Sequence, residues 1–358
     1  MKKNQKILSL ILCLILTLGL CIIPSNPASA ISTTDGLYLY SESVPFEANE
    51  YCKENAYKFL LSYKQEYGID IGIYNYGQPF VLTNHDTDVV QYYFPIINTN
   101  TNKIDFTFRV VKYEDGFSGA LSEALAPELN ALALKTSDSA PATIEINNGN
   151  IIAIVNNNID ILIEDPLGNA ISNVYTKNSS NNSIVNCLDT SNNQIDVIAE
   201  PKSGYKYLNT VIYEDQGSNS WCAAYVSAFI INFAKGTNLR AIDIIKTYYP
   251  SGSTSSALSR TQTVNYAKKY NMYLWPLTRK LSISEAEAQI NNNSPFYTSN
   301  LVSTGGSHAI AVRGYNPYSY SIWNPWDTYY TSVDKNLGIY THANGRTFTW
   351  TETLADWS

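Results

Sequence analysis

The segment from Trp221 to Phe233 constrains the fold of this chain more than any other feature of its sequence. It has a helical pattern and is apolar on most of its faces, and a turn rich in Gly, Ser and Asn precedes it. A helix of this kind can bury its apolar faces only where other elements surround it. We therefore expect it to be the central helix of a domain, with Asn219 or Ser220 as its cap.

Cys222 lies in the first turn of this predicted helix. The amide N–H groups at a helix start have no partners within the helix, and the helix dipole is positive there, so both favour a thiolate. With an imidazolium as partner, such a position can lower a thiol pKa from ~8.5 to roughly 3.5–7.5. Cys222 is therefore a candidate nucleophile.

The first 30 residues have the pattern of a cleaved export signal. Three lysines, an apolar stretch and small residues follow one another at Lys2, Lys3 and Lys6, then Ile7–Ile23, then Ala28–Ala30. We expect cleavage after Ala30, as in other signals of the A-x-A type. The alternative is a retained membrane anchor, but the apolar stretch is shorter than the ~20 residues of a spanning helix and runs into Pro24. Because no later segment could span a bilayer, the sequence predicts a secreted, extracellular product that is free of the membrane.

Cysteine usage supports a search for a catalytic thiol. Of the five cysteines, Cys13 and Cys21 leave with the signal, whereas Cys52, Cys187 and Cys222 remain. An odd number in a secreted chain means that at least one thiol is free or pairs with another molecule. Cys52 lies on an apolar helical face and is predicted to be a core thiol, and whether it pairs with Cys187 stays open. The scattered cysteines and histidines lack metal-binding spacing, so neither a metal nor a cofactor is expected.

Length and charge divide the rest of the chain into two parts. The 358 residues exceed the roughly 100–200 of one domain. Residues 31–204, the first half, carry 9 Lys+Arg and 22 Asp+Glu (−13), whereas residues 205–358, the second half, carry 12 and 9 (+3). The Asn- and Ser-rich stretch Asn178–Gln194 is typical of a linker. The opposite charges favour docking of one half on the other, and the total charge of −7 argues against nucleic acid as a partner.

The first half is predicted to be an α+β domain dominated by antiparallel sheet. Helical spacing favours helices over Phe46–Tyr67 and Ser118–Leu134. Strands are predicted at Pro79–Leu82, Val89–Ile97, Ile104–Tyr113, Thr143–Ile146, Ile151–Val155 and Ile159–Glu164. His85, the histidine of this half, is expected to be an exposed turn residue.

Two further segments of the second half carry residues of catalytic type. A Gly-Gly turn leads into a predicted strand at His308, and Asn324 lies between tryptophans in the run Trp323–Asp327. Taken alone, His308 fits an ordinary strand histidine, and Asn-Pro fits a turn. An amide beside tryptophans could instead orient an imidazole and be shielded from water. His342 has no motif around it and is expected to be a surface residue.

Together these segments resemble the papain-like cysteine peptidases, and more closely the staphopain-type secreted bacterial enzymes. Gln216 stands six residues before Cys222, and Asn324 stands sixteen after His308, spacings similar to those of papain. The resemblance continues through Leu277–Arg279 and covers nearly all of the second half. It implies a papain-like two-lobed catalytic domain, with a helical lobe and an antiparallel β-barrel-like lobe, preceded by a β-rich α+β propeptide domain.

Further predicted elements complete these implied lobes. Helices over Arg240–Tyr248 and Ile283–Ile290 belong to the helical lobe, and Ser282 with Glu285 forms a capping box before the second of them. The segments from Pro295 onward supply the sheet lobe.

The resemblance implies a cysteine endopeptidase that hydrolyses protein or peptide substrates through a thioester acyl-enzyme. Cys222 would be the nucleophile, His308 the general base and acid, and Asn324 the residue that orients the imidazole. Gln216 would complete an oxyanion hole with the backbone N–H of Cys222. Asp327 is a weaker candidate for the orienting role. Three tryptophans are assigned to the cleft wall or to shielding of this triad: Trp221, Trp323 and Trp326.

The resemblance also implies that the first half is an inhibitory propeptide, so that the enzyme is made as a zymogen. The predicted domains are therefore a signal peptide (1–30), a propeptide domain (31–204) and a peptidase domain (205–358). The mature enzyme is expected to start near Glu200 to Leu208, and the sequence does not fix the bond or say whether activation is autocatalytic. Besides substrates, the expected partners are the propeptide itself and, as a further candidate, a dedicated protein inhibitor.

Other functions remain as alternatives. A papain-fold amidase or acyl transferase acting on cell-wall or other amides could use the same residues, although transglutaminase-like enzymes usually have Asp in the place of Asn324. Cell-wall hydrolases usually carry a wall-binding module, and leader-peptide peptidases are commonly attached to transporters; this sequence shows neither feature. The alternative from another class is a secreted non-catalytic binding protein that uses the first half as its surface.

Overall fold

One path of hydrogen-bonded strands runs through most of the chain. The computed structural model describes residues 36–70, 73–172, 182–190, 194–195, 204–336 and 338–358. The predicted export signal lies outside these ranges, as does part of the predicted linker. The residues from Gly36 to Ser358 form one compact unit. Six helices and eighteen strands occur in the described ranges, so the predicted α+β class is confirmed.

The helices divide unequally between the two halves. They are α1 (Phe46–Tyr67) and α2 (Ala126–Ala133) in the first half, and α3 (Cys222–Lys235), α4 (Ala241–Tyr248), α5 (Arg260–Ala267) and α6 (Ile283–Asn291) in the second. In the part of the chain with described coordinates, no helix has the length and apolarity that a membrane crossing requires.

Strands occur throughout both halves. Those of the first half are β1 (Tyr38–Ser41), β2 (Tyr74–Tyr76), β3 (Phe80–Asn84), β4 (Gln91–Asn98), β5 (Lys103–Tyr113), β6 (Gly116–Ser122), β7 (Thr143–Asn147), β8 (Asn150–Val155), β9 (Asn158–Ile163) and β10 (Ser183–Asn186). Those of the second half are β11 (Lys206–Tyr207), β12 (Trp275–Leu277), β13 (Phe296–Val302), β14 (Ser307–Tyr315), β15 (Ser319–Trp323), β16 (Thr331–Asp334), β17 (Ile339–Thr341) and β18 (Thr347–Ala355).

The first helix matches its sequence pattern closely. α1 covers the predicted residues Phe46–Tyr67 and ends at Gly68, whose left-handed backbone (φ 70°) closes the helix. Its apolar face, which includes Cys52 and Leu60, is buried and contacts β5 and β6. Cys52 is therefore a core thiol, as predicted, and Cys187 is buried and free as well.

The predicted helix over Ser118–Leu134 is wrong in its first part. Gly116–Ser122 forms strand β6, and only Ala126–Ala133 is helical. The Ala, Leu and Glu residues favour a helix locally, but β6 is paired with β5 on one side and with β16 on the other. Pairing with two neighbouring strands overrides a weak local preference.

The two halves share a continuous sheet. The strand order is β12-β18-β13-β14-β15-β16-β6-β5-β4-β3-β7-β8-β9. The junction is the antiparallel pair of β16 and β6, in which Ser332 lies opposite Leu121 and Val333 opposite Ala120. Backbone hydrogen bonds therefore connect a strand of the second half to a strand of the first.

The central helix of the second half is α3, as its apolar sequence predicts. Every residue from Ala223 to Asn232 is buried, and α3 contacts β14, α4 and α5. It ends at Gly236, which adopts a left-handed backbone (φ 61°). The predicted capping box of Ser282 and Glu285 is present at the start of α6. This packing holds the start of α3, which carries Cys222, against β14, which carries His308.

Candidate active site

His308 and Asn324 lie together in the interior of the second half. His308 is the second residue of β14, and Asn324 follows the last residue of β15, the neighbouring antiparallel strand. The ring Nε2 of His308 and the side-chain Oδ1 of Asn324 are 2.8 Å apart. Only 4% of His308 and 1% of Asn324 are exposed. Because an amide oxygen can only accept, Nε2 carries the proton and Nδ1 is left as the accepting nitrogen of a neutral ring.

Trp326 covers the imidazole, whereas Trp323 packs elsewhere. The ring centroids of Trp326 and His308 are 4.2 Å apart, and the backbone N–H of Trp326 donates to Asn324 Oδ1 (3.1 Å). Trp323 instead stacks on Phe229 of α3 at 4.6 Å. Both tryptophans were predicted to shield the hydrogen bond between His308 and Asn324. The direct ring contact belongs to Trp326, and Trp323 anchors the strand to the central helix.

Cys222 and His308 line the same cleft. Cys222 is the first residue of α3 and is partly exposed. The cleft has a volume of about 370 Å³. The backbone amide of Ala309, the residue after His308, contacts the Cys222 thiol. Neither side chain hydrogen-bonds the other in this structure, so the described geometry brings them to one cleft without joining them.

Burial favours the neutral forms of both groups. It raises the pKa of the Cys222 thiol above its ordinary value, although the backbone amides of Ala309 and Ala223 partly oppose this change. Burial also lowers the pKa of His308 to about 4, against a smaller opposite effect of its bond to Asn324. Near neutral pH this state therefore holds a thiol and a neutral imidazole. The thiolate–imidazolium pair expected from the sequence stays a prediction for the processed protein.

Gln216 lies in the turn before the central helix. It is buried, its Nε2 donates to the backbone oxygen of Asn219, and its Oε1 has no hydrogen-bond partner. Its backbone N–H donates to the oxygen of Pro325 (2.7 Å). This bond joins the turn before Cys222 to the turn that begins at Asn324. Gln216, the predicted oxyanion-hole residue, is therefore held between the turn before Cys222 and the turn at Asn324.

Trp221 packs in the interior of the second half and does not face the cleft. It is buried, and its indole N–H donates to the backbone oxygen of Ser253 at 3.0 Å. Its backbone N–H donates to Asn219 Oδ1 (3.0 Å), so the predicted cap residue closes the turn one residue ahead of the helix. Trp221 is not among the residues that line the cleft in the described chain.

A second histidine lies close to the site, and no motif in the sequence indicates it. His342 was expected at the surface, and this prediction is wrong, because only 3% of it is exposed. Its Nδ1 accepts the backbone N–H of Asn344, so its Nε2 donates to Asp327 Oδ1 (2.9 Å). The hairpin of β17 and β18 carries His342 to within 5.7 Å of the Trp326 ring. Asp327, the weaker candidate for orienting His308, therefore binds His342 instead. His85 is exposed, as predicted.

Carboxylates of the first half bind buried arginines of the second. Asp165 forms a buried ion pair with Arg346, whose guanidinium lies 5.5 Å from the ring centroid of Trp326. Glu66 of α1 forms another ion pair with the buried Arg313. The opposite charges of the two halves thus meet in specific pairs, as their composition favoured.

Comparison with known proteins shows what the second half of the chain is similar to. Residues 202–357 match the family model described as Staphopain peptidase C47. Staphopain A of Staphylococcus aureus (strain MSSA476) is 23% identical over 348 residues, which cover 86% of this chain and 87% of that protein. An extracellular cysteine protease of Staphylococcus epidermidis is 26% identical over 164 residues, which cover 40% of this chain and 94% of that protein. Residues 202–357 are therefore similar to the staphopain peptidases, and the protein is a cysteine endopeptidase.

Proposed function

We propose that this protein is a secreted cysteine endopeptidase made as a zymogen, with Cys222, His308 and Asn324 as its catalytic triad. The observation that carries the proposal is the buried hydrogen bond from His308 to Asn324, in a cleft that Cys222 also lines. That bond directs the unprotonated Nδ1 of His308 away from Asn324 and leaves it available for the thiol proton. A neutral amide orients the ring without adding a charge that would hold the proton on it.

The proposed reaction starts with proton transfer from the Cys222 thiol to Nδ1 of His308. The thiolate attacks the substrate carbonyl and forms a tetrahedral oxyanion. The backbone N–H of Cys222 and the side-chain N–H₂ of Gln216 then donate hydrogen bonds to that oxygen; Gln216 Nε2 has a second proton for this purpose beside its bond to Asn219. His308 protonates the departing amine, and water activated by the same ring hydrolyses the thioester.

We further propose that residues 205–358 form the two-lobed papain-like catalytic domain. The first turn of α3 and the segment that leads into α5 supply one wall of the cleft, and strands β13, β14 and β18 supply the other. The substrate backbone would lie between these walls, next to the first turn of α3. Cys222 would then attack from the helical side, and His308 would act from the sheet side.

The first half is proposed to be the inhibitory propeptide. Its residue Asp165 pairs with Arg346 behind Trp326. A side chain placed at Gly168 would lie 3.8 Å from Ser218, so this loop runs beside the turn that leads to Cys222. All residues that line the cleft in the described chain nevertheless belong to the second half. The propeptide would therefore act from the Trp326 side of the site and not by filling the cleft. It would block access of substrate from that side and keep Cys222 and His308 in their neutral forms.

Two contacts bear on where the propeptide is released. Lys206 and Tyr207 form β11, which pairs with β14, and the backbone N–H of Leu208 donates to Arg313 (2.9 Å). Cleavage after these residues would remove a strand from the catalytic sheet. We therefore propose that the bond lies on the amino-terminal side of Lys206, within or just before the predicted range, and that an export signal at residues 1–30 directs secretion.

Digestion of a denatured protein tests the activity. The full chain is incubated with the substrate protein before and after processing, and mass spectrometry identifies the products. We expect the processed wild type to release peptides, and Cys222→Ala to release none. Identical fragments from both forms would contradict the assignment of Cys222, and no fragments from either would favour a non-catalytic binding protein.

A further inference from the structure

The cleft that contains Cys222 has two walls of different origin. One wall comes from the first turn of α3 and from the segment that leads into α5, and the other comes from β13, β14 and β18. The register places Tyr297 opposite Leu354 and Ser299 opposite Glu352, so these four residues face the same way from neighbouring strands. Polar and apolar surface both line the cleft, and its apolar part includes side chains from both walls: Ala223, Leu258, Tyr297, Ala309 and Leu354.

One ion pair crosses the cleft from wall to wall. Arg260 is the first residue of α5, and its guanidinium Nη1 lies 3.6 Å from the carboxylate Oε2 of Glu352 on β18. The side chains are 31% and 38% exposed, so both can reach an incoming substrate. They are the two charged side chains among the described residues that line this cleft.

The phenol of Tyr297 lies near the pair. Burial raises the pKa of Tyr297, and the charges of Cys222 and Glu352 raise it further, whereas Arg260 opposes them. Tyr297 therefore lies within electrostatic reach of the candidate nucleophile and of both members of the ion pair. Its hydroxyl makes no hydrogen bond to any part of the chain that the structure describes. A neutral donor is thus available beside the apolar surface.

We propose that Arg260 and Glu352 balance each other's charge in the cleft, so that it accepts a neutral aromatic or aliphatic side chain next to the scissile bond and disfavours a charged one. This inference rests on the proposed peptidase function. A charged substrate side chain entering the cleft would lose hydration and meet one like and one opposite charge, with no net compensation. An apolar side chain would gain the burial of its surface against Leu258, Leu354 and the ring of Tyr297.

The proposal predicts opposite effects of removing either charge. Arg260→Met leaves Glu352 alone and shifts selectivity toward lysine-containing peptides, whereas Glu352→Gln leaves Arg260 alone and shifts it toward glutamate-containing peptides. Because the pair is partly exposed and screened by solvent, we expect each shift in the kcat/KM ratio to be about five- to tenfold. The double variant carries neither charge and returns to the neutral preference of the wild type.

The experiment uses the full chain, activated by limited proteolysis with a serine protease that is then inhibited. Peptide sets carry Phe, Leu, Lys or Glu at each position on both sides of the scissile bond, and kcat/KM is measured for each peptide. Arg279→Met serves as the matched control, because Arg279 pairs with Glu285 at the surface and does not line the cleft. Arg260→Lys keeps the charge and should keep the wild-type ratio. A thermal unfolding curve for each variant identifies any that fails to fold.

Each outcome supports or overturns the inference. Opposite shifts in the two single variants, with none in Arg279→Met, support it. A wild type that prefers charged side chains at every position overturns it. Folded Arg260→Met and Glu352→Gln variants that both keep the wild-type kcat/KM ratio also overturn it. If these peptides are cleaved but the ratios do not move, only the selectivity inference fails. If the wild type cleaves no peptide, the proposed function fails and the inference fails with it.

Discussion

Asp165 and Arg346 form a buried ion pair that joins the two halves of the chain. Arg346 also lies over the ring of Trp326, which in turn contacts the ring of His308. A carboxylate of the first half is therefore separated from the imidazole only by a guanidinium and an indole. Any event that removes Asp165 leaves a buried positive charge without its partner, next to the candidate site.

Asp165→Ala should destabilise the precursor and expose its thiol. Removing one partner of a buried ion pair leaves the other charge uncompensated, and we expect a loss of about 3–5 kcal/mol in the free energy of unfolding. We also expect faster labelling of Cys222 in the unprocessed chain, because the first half is held less firmly. Urea unfolding and the rate of thiol labelling measure the two effects.

Glu164→Ala is the matched control for this prediction. Glu164 is the adjacent acidic residue and is exposed, so its removal should change the unfolding free energy by less than about 0.5 kcal/mol. Equal stability and equal labelling in both variants would show that the Asp165–Arg346 pair does not hold the halves together.

The precursor should lose stability as the pH falls from about 6.5 toward 4. Burial lowers the pKa of His308 to about 4, whereas an unfolded chain has a histidine pKa of about 6.5. Between these values the unfolded state binds a proton that the folded state does not, so acid favours unfolding. For His308 alone, we expect a loss of about 2 kcal/mol between pH 7 and pH 4.5.

Comparing Cys222→Ala with the double variant Cys222→Ala/His308→Phe isolates this effect, since neither can process itself. Urea unfolding at the two pH values should show a smaller loss in the double variant. The same pH dependence in both would mean that His308 is not held neutral by burial.

Asn324→Ala should reduce kcat by about 10²-fold, because the imidazole then loses the acceptor that fixes its tautomer and orientation. KM should change little if Asn324 does not touch the substrate. Steady-state kinetics on one peptide test this, with the exposed Asn336→Ala as control. A variant with wild-type kcat would remove Asn324 from the proposed triad.

Gln216→Ala should lower kcat by about 10²–10³-fold, the usual effect of losing one oxyanion donor. The control is Gln289→Ala, since Gln289 binds Asp356 at the surface of the second half. Unchanged kcat for Gln216→Ala would mean that its side-chain amide serves only the turn before α3, through its bond to Asn219.

Local signals were sufficient for the central helix and for strand β14, whereas the contact between His308 and Asn324 was expected from the resemblance to papain-like peptidases. The apolar run at Trp221–Phe233 can form only a buried helix, and the alternation of strand residues at His308 predicts β14. The predicted ends of α1 were correct because a proline precedes this helix and a glycine terminates it. In each case the chain within about 20 residues contains the information.

Features that depend on contacts between distant parts of the chain could not be predicted from the sequence. The predicted helix over Ser118–Leu134 is rich in Ala, Leu and Glu, but its first residues form a strand, because β16 pairs with them from more than 200 positions away in the sequence. His342 is buried by a hairpin that folds behind Trp326, and Arg346 finds Asp165 across 181 positions. No local pattern records such contacts, and charge balance alone indicated only that the halves attract each other.

The most direct test of the account is the mass of the processed protein after reaction with an epoxide-type cysteine-protease inhibitor. We predict one adduct, located at Cys222, that is absent from Cys222→Ser and forms much more slowly in His308→Ala. A processed protein without an adduct at Cys222, or labelling of Cys222 at the wild-type rate in His308→Ala, would contradict the proposal that His308 activates this thiol.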